Sequence, residues 1–389
     1  MSVHHTARSH RAIRWMAAAG IISALAAMQA VCMTAHAEGG VQEGETQQLA
    51  ETTTVVDSSK FSDLETALRG AAADKKTIIE LSGTYMAPKN LGNVALHTNA
   101  TIEIRVPEKQ TATVTRESGS TTTSTLLTAG DNSNTHLTIS GDFTYSDSNT
   151  QLMYVGAGSE LVINGGTYTA NHGDGKGGVI YSAGSVTVNG GTFTGNSANA
   201  NKTGNGGAIY NRGGSVTVND GIFTGNQALL GGVIYNDGGS VTVNNGLFTT
   251  NKAEWDSKTR TSGKGGVIYS DGANTLVTIN GGMFGGTPQK DSEGNITVNH
   301  GNTANGKGGV LYMEGGALSI TGGTFAYNSS SWGGGSNSVG GGAIYAYNVS
   351  AVIRGTTNAP VIFQGNKATV SGDAHCGGGA IWIPRQSDH

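Results

Sequence analysis

The sequence predicts an all-β fold, a right-handed parallel β-helix with three short strands per coil, on three observations. One phrase recurs down the second half of the chain: Gly231-Gly232-Val233-Ile234-Tyr235, a turn, Ser240-Val241-Thr242-Val243-Asn244, then Gly246-Leu247-Phe248-Thr249-Thr250-Asn251. Nearly the same words start at Gly177, Gly206, Gly265, Gly308 and Gly341, with a truncated copy at Gly378. Self-similarity at a period of about 20–50 residues marks an architecture of stacked units. Within each unit, three short segments alternate apolar and polar residues between Gly, Asn and Asp, which is the signal for strands, and none keeps a helical period. Finally, 63 of 389 residues are glycine, about twice ordinary usage, as sharp corners between strands demand.

In a parallel stack, like positions lie above one another about 4.8 Å apart. Val186, Val216, Val241 and Val277 then form one inward column, and Phe193, Phe223, Phe248 and Phe284 another. Asn196, Asn226, Asn251, Asn328 and Asn366 each follow a column Phe. They are expected at a corner, where stacked amides can satisfy backbone groups.

Ahead of the repeats, the chain divides in order. Residues 1–37 read as a signal peptide for general secretion: Arg8, Arg11 and Arg14, an apolar stretch over 15–33, then Ala35-His36-Ala37. Residues 38–53 are polar and read as a disordered linker. Residues 54–100 read as an N-terminal cap with a short helix, since Phe61, Leu64 and Leu68 are helically spaced and Ser62 is a candidate N-cap. Such a helix covers the open end of a β-helix core. The β-helix itself is assigned to 101–389, regular from about residue 160, its coil at Gly378 reading as C-terminally incomplete.

Without residues 1–37, 20 basic residues face 27 acidic ones, a net charge of −7 with histidine neutral. No basic run supplies a footprint for nucleic acid. Cys376 is then the only cysteine, so no intrachain disulfide forms. No cofactor is expected, and the membrane enters only through export or an anchor outside these residues.

The opening at residues 64–85, with Leu64, Ala67, Leu68, Gly83 and Tyr85, resembles the N-terminal cap of pectate-lyase-like β-helix proteins. Gly-Gly-Ala-Ile at 206–209 and 341–344, together with Phe-x-x-Asn at 193–196, 223–226, 248–251, 325–328 and 363–366, resembles the paired motifs of chlamydial polymorphic membrane proteins. The copy at Gly285-Gly286-Thr287 lacks its Asn. The resemblance spans about residues 160–385 and implies a β-helical passenger on a cell surface, with an adhesive role.

Candidate sites lie on the outside of the coils. Tyr181, Tyr210, Tyr235, Tyr269, Tyr312 and Tyr345, followed by Trp382, share one repeat position and should face outward, where they can stack on sugar rings or on one another. Asp237, Asp271 and Glu314 each lie two residues beyond a repeat Tyr. Three carboxylates stacked in that way repel unless water screens them or a cation such as calcium bridges them. Trp255 and Trp332 sit in long inserts at 252–264 and 329–340, both leaving the coil at the same corner. No convincing catalytic constellation is present, and the chain is expected not to be an enzyme. The leading expectation is a secreted or cell-surface adhesin-like binder of a host or matrix glycan or protein. A polysaccharide-active lyase or hydrolase of the pectate-lyase-like class stays open as the alternative.

Overall fold

The computed structural model describes residues 49–384 apart from 57–58, 74, 118–124, 147, 200, 202, 288, 294–295, 333–338 and 371–375. Residues 1–37, read from the sequence as a signal peptide, and residues 38–48, read as linker, lie outside the described residues.

Three parallel sheets of 11, 10 and 10 strands run the length of the solenoid, joined by smaller parallel sheets of five and four strands. The longest carries the Ser-Val-Thr-Val words. Ser185, Val186, Thr187 and Val188 pair one to one with Ser215, Val216, Thr217 and Val218, and those in turn with Ser240, Val241, Thr242 and Val243. A second holds the tyrosine strands, the third the phenylalanine strands. Register is thus identical at every coil, as a period-two pattern with one buried face enforces. Val186, Val216, Val241 and Val277 are buried, and the Phe rings lie at the centre of the core. Phe193, Phe223, Phe248, Phe284 and Phe325 stack nearly coplanar, with centroids 4.8 Å apart between Phe223 and Phe248.

The corner after each Phe is held by asparagine. The Asn226 amide uses all four of its hydrogen-bonding positions. Its Nδ2 donates to Phe193 O (2.9 Å) and to Asn251 Oδ1 (3.0 Å), while its Oδ1 accepts from the backbone N (3.1 Å) and Nδ2 (3.0 Å) of Asn196. The same pattern links Asn171, Asn196, Asn226, Asn251, Asn302, Asn328 and Asn366. Burial makes this ladder strong, because a buried donor or acceptor left unmade costs about 1–3 kcal/mol. At six of the seven rungs, Gly301 before Asn302 being the exception, the residue just before the Asn takes a left-handed conformation. Gly225 adopts it easily, but Thr250 (φ 55°) and Tyr327 (φ 57°) take it too, against their steric preference. At the corner that opens each tyrosine strand, Gly231 has φ 67°. A Cβ on Gly232 would stand 2.2 Å from Gly266 O. Only glycine fits there.

Asn302 fills the rung that the copy after Phe284 was expected to lack. Residues 286–300 are an insertion ahead of it, containing a small antiparallel hairpin of Gln289–Lys290 and Ile296–Val298. It leaves the coil at a different corner from the other two inserts.

The N-terminal region departs from expectation in three ways. Residues 50–53, assigned to a disordered linker, belong to strand β1 (Ala50–Val56), which pairs in parallel with β2 (Lys75–Leu81). Their run of β-branched Thr and Val completes the sheet edge, and Lys76 bridges to Glu51 at 3.1 Å. Helix α1 (Phe61–Gly70) starts one residue before Ser62, with Lys60 at its N-cap, because Phe61 is drawn into the core beside Leu64 and Leu68. β2 already pairs with the next coil strand, Thr101–Arg105, so regular stacking begins well before residue 101.

Excising residues 286–300 joins Phe284-Gly285 to Gly301-Asn302 and restores the regular Phe-x-x-Asn spacing. The variant is expected to keep its strand-type circular dichroism and to melt within a few degrees of the parent. Loss of the folded state on excision would mean that Asn302 does not hold the rung on its own.

Candidate functional site

The outer face of the tyrosine sheet gathers most of the expected site residues. Alternation puts Ile180, Ile209, Ile234 and Ile268 inward and turns the Tyr side chains to the opposite face. They are nevertheless covered. Tyr235 is 9% exposed, Tyr269 5% and Tyr345 1%, and only Tyr181 is half-buried. Of the two expectations for the stripe, stacking on sugars or on one another, the geometry is that of ring on ring: a sealed ladder, because rings held at coil spacing screen one another's faces. Tyr235 and Tyr269 stack at 5.1 Å and 4°, as do Tyr269 with Tyr312 and Tyr312 with Tyr345 at 5.1 Å and 6°. Trp382 closes the end edge-on to Tyr345 at 5.3 Å. Ring-on-ring packing of this kind adds about 0.5–1.5 kcal/mol per pair beyond area burial. No ring face is left for a sugar between Tyr235 and Tyr345.

A row of charge flanks the ladder on each side. Asp237, Asp271 and Glu314 are paired in register, as expected. They do not converge as a metal nest: Asp237 Oδ2 accepts from Tyr210 Oη at 3.1 Å, and Glu314 Oε2 from Tyr312 Oη at 2.9 Å. Among the described residues no group of three or more His, Cys, Asp or Glu is placed to hold a metal ion. On the other flank Lys264 and Lys307 are paired in register. Their ammonium groups sit 4.6 Å above the Tyr312 and Tyr345 rings, and Lys307 Nζ donates to Tyr345 Oη at 3.1 Å. The lysines were missed because nothing in the repeat word singles them out. Lys-Gly-Gly at 264–266 and 307–309 was the available signal.

Burial sets the electrostatics of this face. It pushes the Asp271 carboxyl above its usual range, assisted by the charge of Glu314, and it pushes the Lys307 ammonium down, assisted by Lys264. Burial raises every phenol of the ladder from Tyr210 onward, Tyr235 and Tyr345 to about 12.

The inserts lie just ahead of the lysine row. Lys252–Ala253 and Gly263–Lys264 are short strands of the stack, and residues 254–262 bulge between them. Asp256 organises the bulge, accepting from the Lys258 backbone N at 2.9 Å and from Thr259 Oγ1 at 2.6 Å. Trp255, 45% exposed, projects from it. Trp332 ends the strand Ser329–Trp332 at the corresponding place two coils further on, its side chain outside the description. Elsewhere a shallow trough of about 610 Å³ runs along the next corner, floored by Gly184 and Gly214 and edged by Ser185, Ser215, His136 and Glu160.

Stacked parallel coils, an internal Phe column and a buried Asn ladder define a parallel β-helix repeat protein. Its repeats are like those of the Chlamydia polymorphic membrane proteins, whose repeat model matches residues 190–212 and 360–384. Both stretches begin just before a Phe-x-x-Asn corner and run on into the following Gly-Gly strand. No curated protein and no solved structure matches the chain.

The phenol ladder predicts alkaline lability. A phenol whose folded pKa lies above 10 favours the neutral form in the native state. Its contribution is therefore intact below pH 10 and lost as pH rises from there through about 12. Thermal midpoints measured across pH 8–12 should fall only above pH 10, and less steeply for Tyr235→Phe. Asp271 has the same sign in the acid range, its raised pKa opposing folding once the group is ionised. Asp271→Asn should melt higher than the parent at pH 7 and no higher at pH 3.

Proposed function

We propose that this chain is a surface-displayed β-helical passenger with an adhesin-like role, binding host or matrix ligands along the edge that carries the inserts. The similarity of its repeats to those of a membrane-protein family supports surface display, and so does the basic and apolar leader over residues 1–37. One observation carries the assignment of the edge. The repeating faces saturate themselves, phenol on phenol and amide on amide, whereas Trp255 stands exposed on a loop braced by Asp256. An exposed aromatic on a rigid loop with polar neighbours is the usual energetic centre of a contact surface. Inserts confined to one edge are how repeat proteins build such surfaces without disturbing the core. The polysaccharide-cleaving alternative would have to use the row of Asp237, Asp271 and Glu314, of which Asp237 and Glu314 accept hydrogen bonds from the ladder phenols.

The register defines a clean test. Gln227 and Ala228 pair with Lys252 and Ala253, and Leu230 with Lys264, so deleting 254–262 leaves a gap of ordinary length. Deleting 331–338 does the same for the second insert. The double deletion should fold like the parent while attachment of protein-coated beads to host cells or matrix falls several-fold. Full attachment by a folded double deletion would remove the inserts from the binding surface.

A further inference from the structure

The two charged rows beside the phenol ladder pose a problem that the single chain does not solve. In a parallel stack, like charges at one repeat position are brought to the coil spacing of about 4.8 Å. Asp237, Asp271 and Glu314 form one such row and Lys264 and Lys307 the other. Among the described residues one contact links the rows: Lys264 Nζ lies 3.4 Å from Tyr312 Oη, which donates to Glu314 at 2.9 Å. Burial shifts Asp271 up and Lys307 down, and the neighbouring like charges, Glu314 and Lys264, add to each shift.

The rows are level with each other. Lys264 leads into the strand Ile268–Asp271, and Lys307 into the strand Leu311–Glu314. The two successive coils of Tyr269 and Tyr312 therefore each present an ammonium on one side of the phenol and a carboxylate on the other, while the coil of Tyr235 sets Asp237 opposite Leu230. A polyanion laid on this face would satisfy the lysines and leave the acids uncovered; a polycation would do the reverse. A partner that relieves both rows must carry both signs, side by side, at the same pitch.

We infer that the outer face of the tyrosine sheet is a self-association surface, on which two copies of this chain pack side by side and parallel. Symmetry selects the arrangement. A two-fold axis running along the solenoid exchanges the rows without shifting the coils, so that Lys264 faces the partner's Asp271 and Lys307 faces the partner's Glu314. A two-fold axis across the solenoid would set lysine on lysine and acid on acid, and is disfavoured. The face is long, since ten strands at about 4.8 Å make some 43 Å, but it is narrow and charged. It therefore belongs with weak, salt-sensitive interfaces rather than obligate ones. Parallel packing joins passengers on one surface rather than on two opposed surfaces. This inference is independent of the insert edge, and the double deletion described above leaves Lys264 and Lys307 in place.

Sedimentation velocity of the purified chain at low salt, from micromolar to sub-millimolar concentration, should show a monomer–dimer equilibrium that shifts to monomer at high salt. Lys264→Glu with Lys307→Glu should weaken dimerisation at least about tenfold, and so should Asp271→Lys with Glu314→Lys. An equimolar mixture of the two variants should regain the dimer as a heterodimer. Circular dichroism checks that each variant is folded. If a variant does not fold, zero-length carbodiimide cross-linking of mixed ¹⁴N- and ¹⁵N-labelled wild-type chains decides the matter. An inter-chain amide between Lys264 and Asp271, or between Lys307 and Glu314, supports the inference. A chain that stays monomeric at every concentration overturns it, as does a dimer indifferent to both reversals, or cross-links found only within chains.

Discussion

The buried asparagine ladder is the constraint on which the rest of the structure depends. A β-helix corner must reverse the chain while keeping its backbone groups bonded, and here those groups are sealed away from water. One amide per coil meets the demand, because a side-chain amide has two donors and two acceptor sites and the corner offers a partner for each. Asn226 donates back to the Phe193 carbonyl and forward to Asn251, and accepts twice from Asn196. Each rung thereby fixes the height and rotation of the next. The Phe rings stack at 4.7–4.8 Å, the spacing of the paired parallel strands that carry them, and the amide rungs beside them repeat at the same interval. The strain at Thr250 and Tyr327 is tolerated for the same reason.

A second asparagine ladder runs outside, and its direction is reversed. Asn189 Nδ2 donates to Asn164, Asn219 to Asn189, Asn244 to Asn219 and Asn280 to Asn244, each at 2.7–2.8 Å and each toward the preceding coil. The buried ladder donates toward the following coil. The two rows of amide dipoles therefore oppose one another along the axis. The outer row is exposed, and water can replace any of its bonds, so it tidies the surface without determining the fold. With the regular faces saturated in this way, sequence freedom is confined to places where the chain leaves the coil. They include the bulge at 254–262 and the insertion at 286–300, and the gaps between Asn and Gly-Gly at 197–205, 329–340 and 367–377 are likewise longer than the four residues of 227–230.

Most of the fold was legible because the repeat word states the register. Val186, Phe193 and Asn196 each name a column, and the structure stacks all three. Asn302 was missed by following the Phe-x-x-Asn spacing rather than the residues after it. Asn226-Gln227-Ala228, Asn251-Lys252-Ala253 and Asn302-Thr303-Ala304 share a buried Ala two residues on, and that small residue marks the rung whatever precedes it. Strand β1 was hidden because its outward residues are polar and its partner lies 25 residues away in sequence. For the tyrosine face the sequence leaves stacking on sugars and stacking on one another both open. Alternation gives the direction of a side chain, but whether it meets solvent depends on its neighbours one coil away, and the period-two pattern does not contain that. Lys264 and Lys307 were marked only by Lys-Gly-Gly, and a lysine before Gly-Gly reads as an ordinary solvated residue until the register sets it over a ring.

The most direct test of the buried ladder is to remove one amide from inside and one from outside and compare the losses. Asn226→Ala strands the Asn196 N–H and Nδ2 donors and the Phe193 carbonyl in a sealed corner, at an expected cost of about 3 kcal/mol or more in chemical denaturation. Asn219→Ala opens a rung that water can fill and should cost less than about 0.5 kcal/mol. A large loss at Asn226 with almost none at Asn219 is the predicted result. Equal losses at the two positions, or a negligible loss at Asn226, would contradict the account.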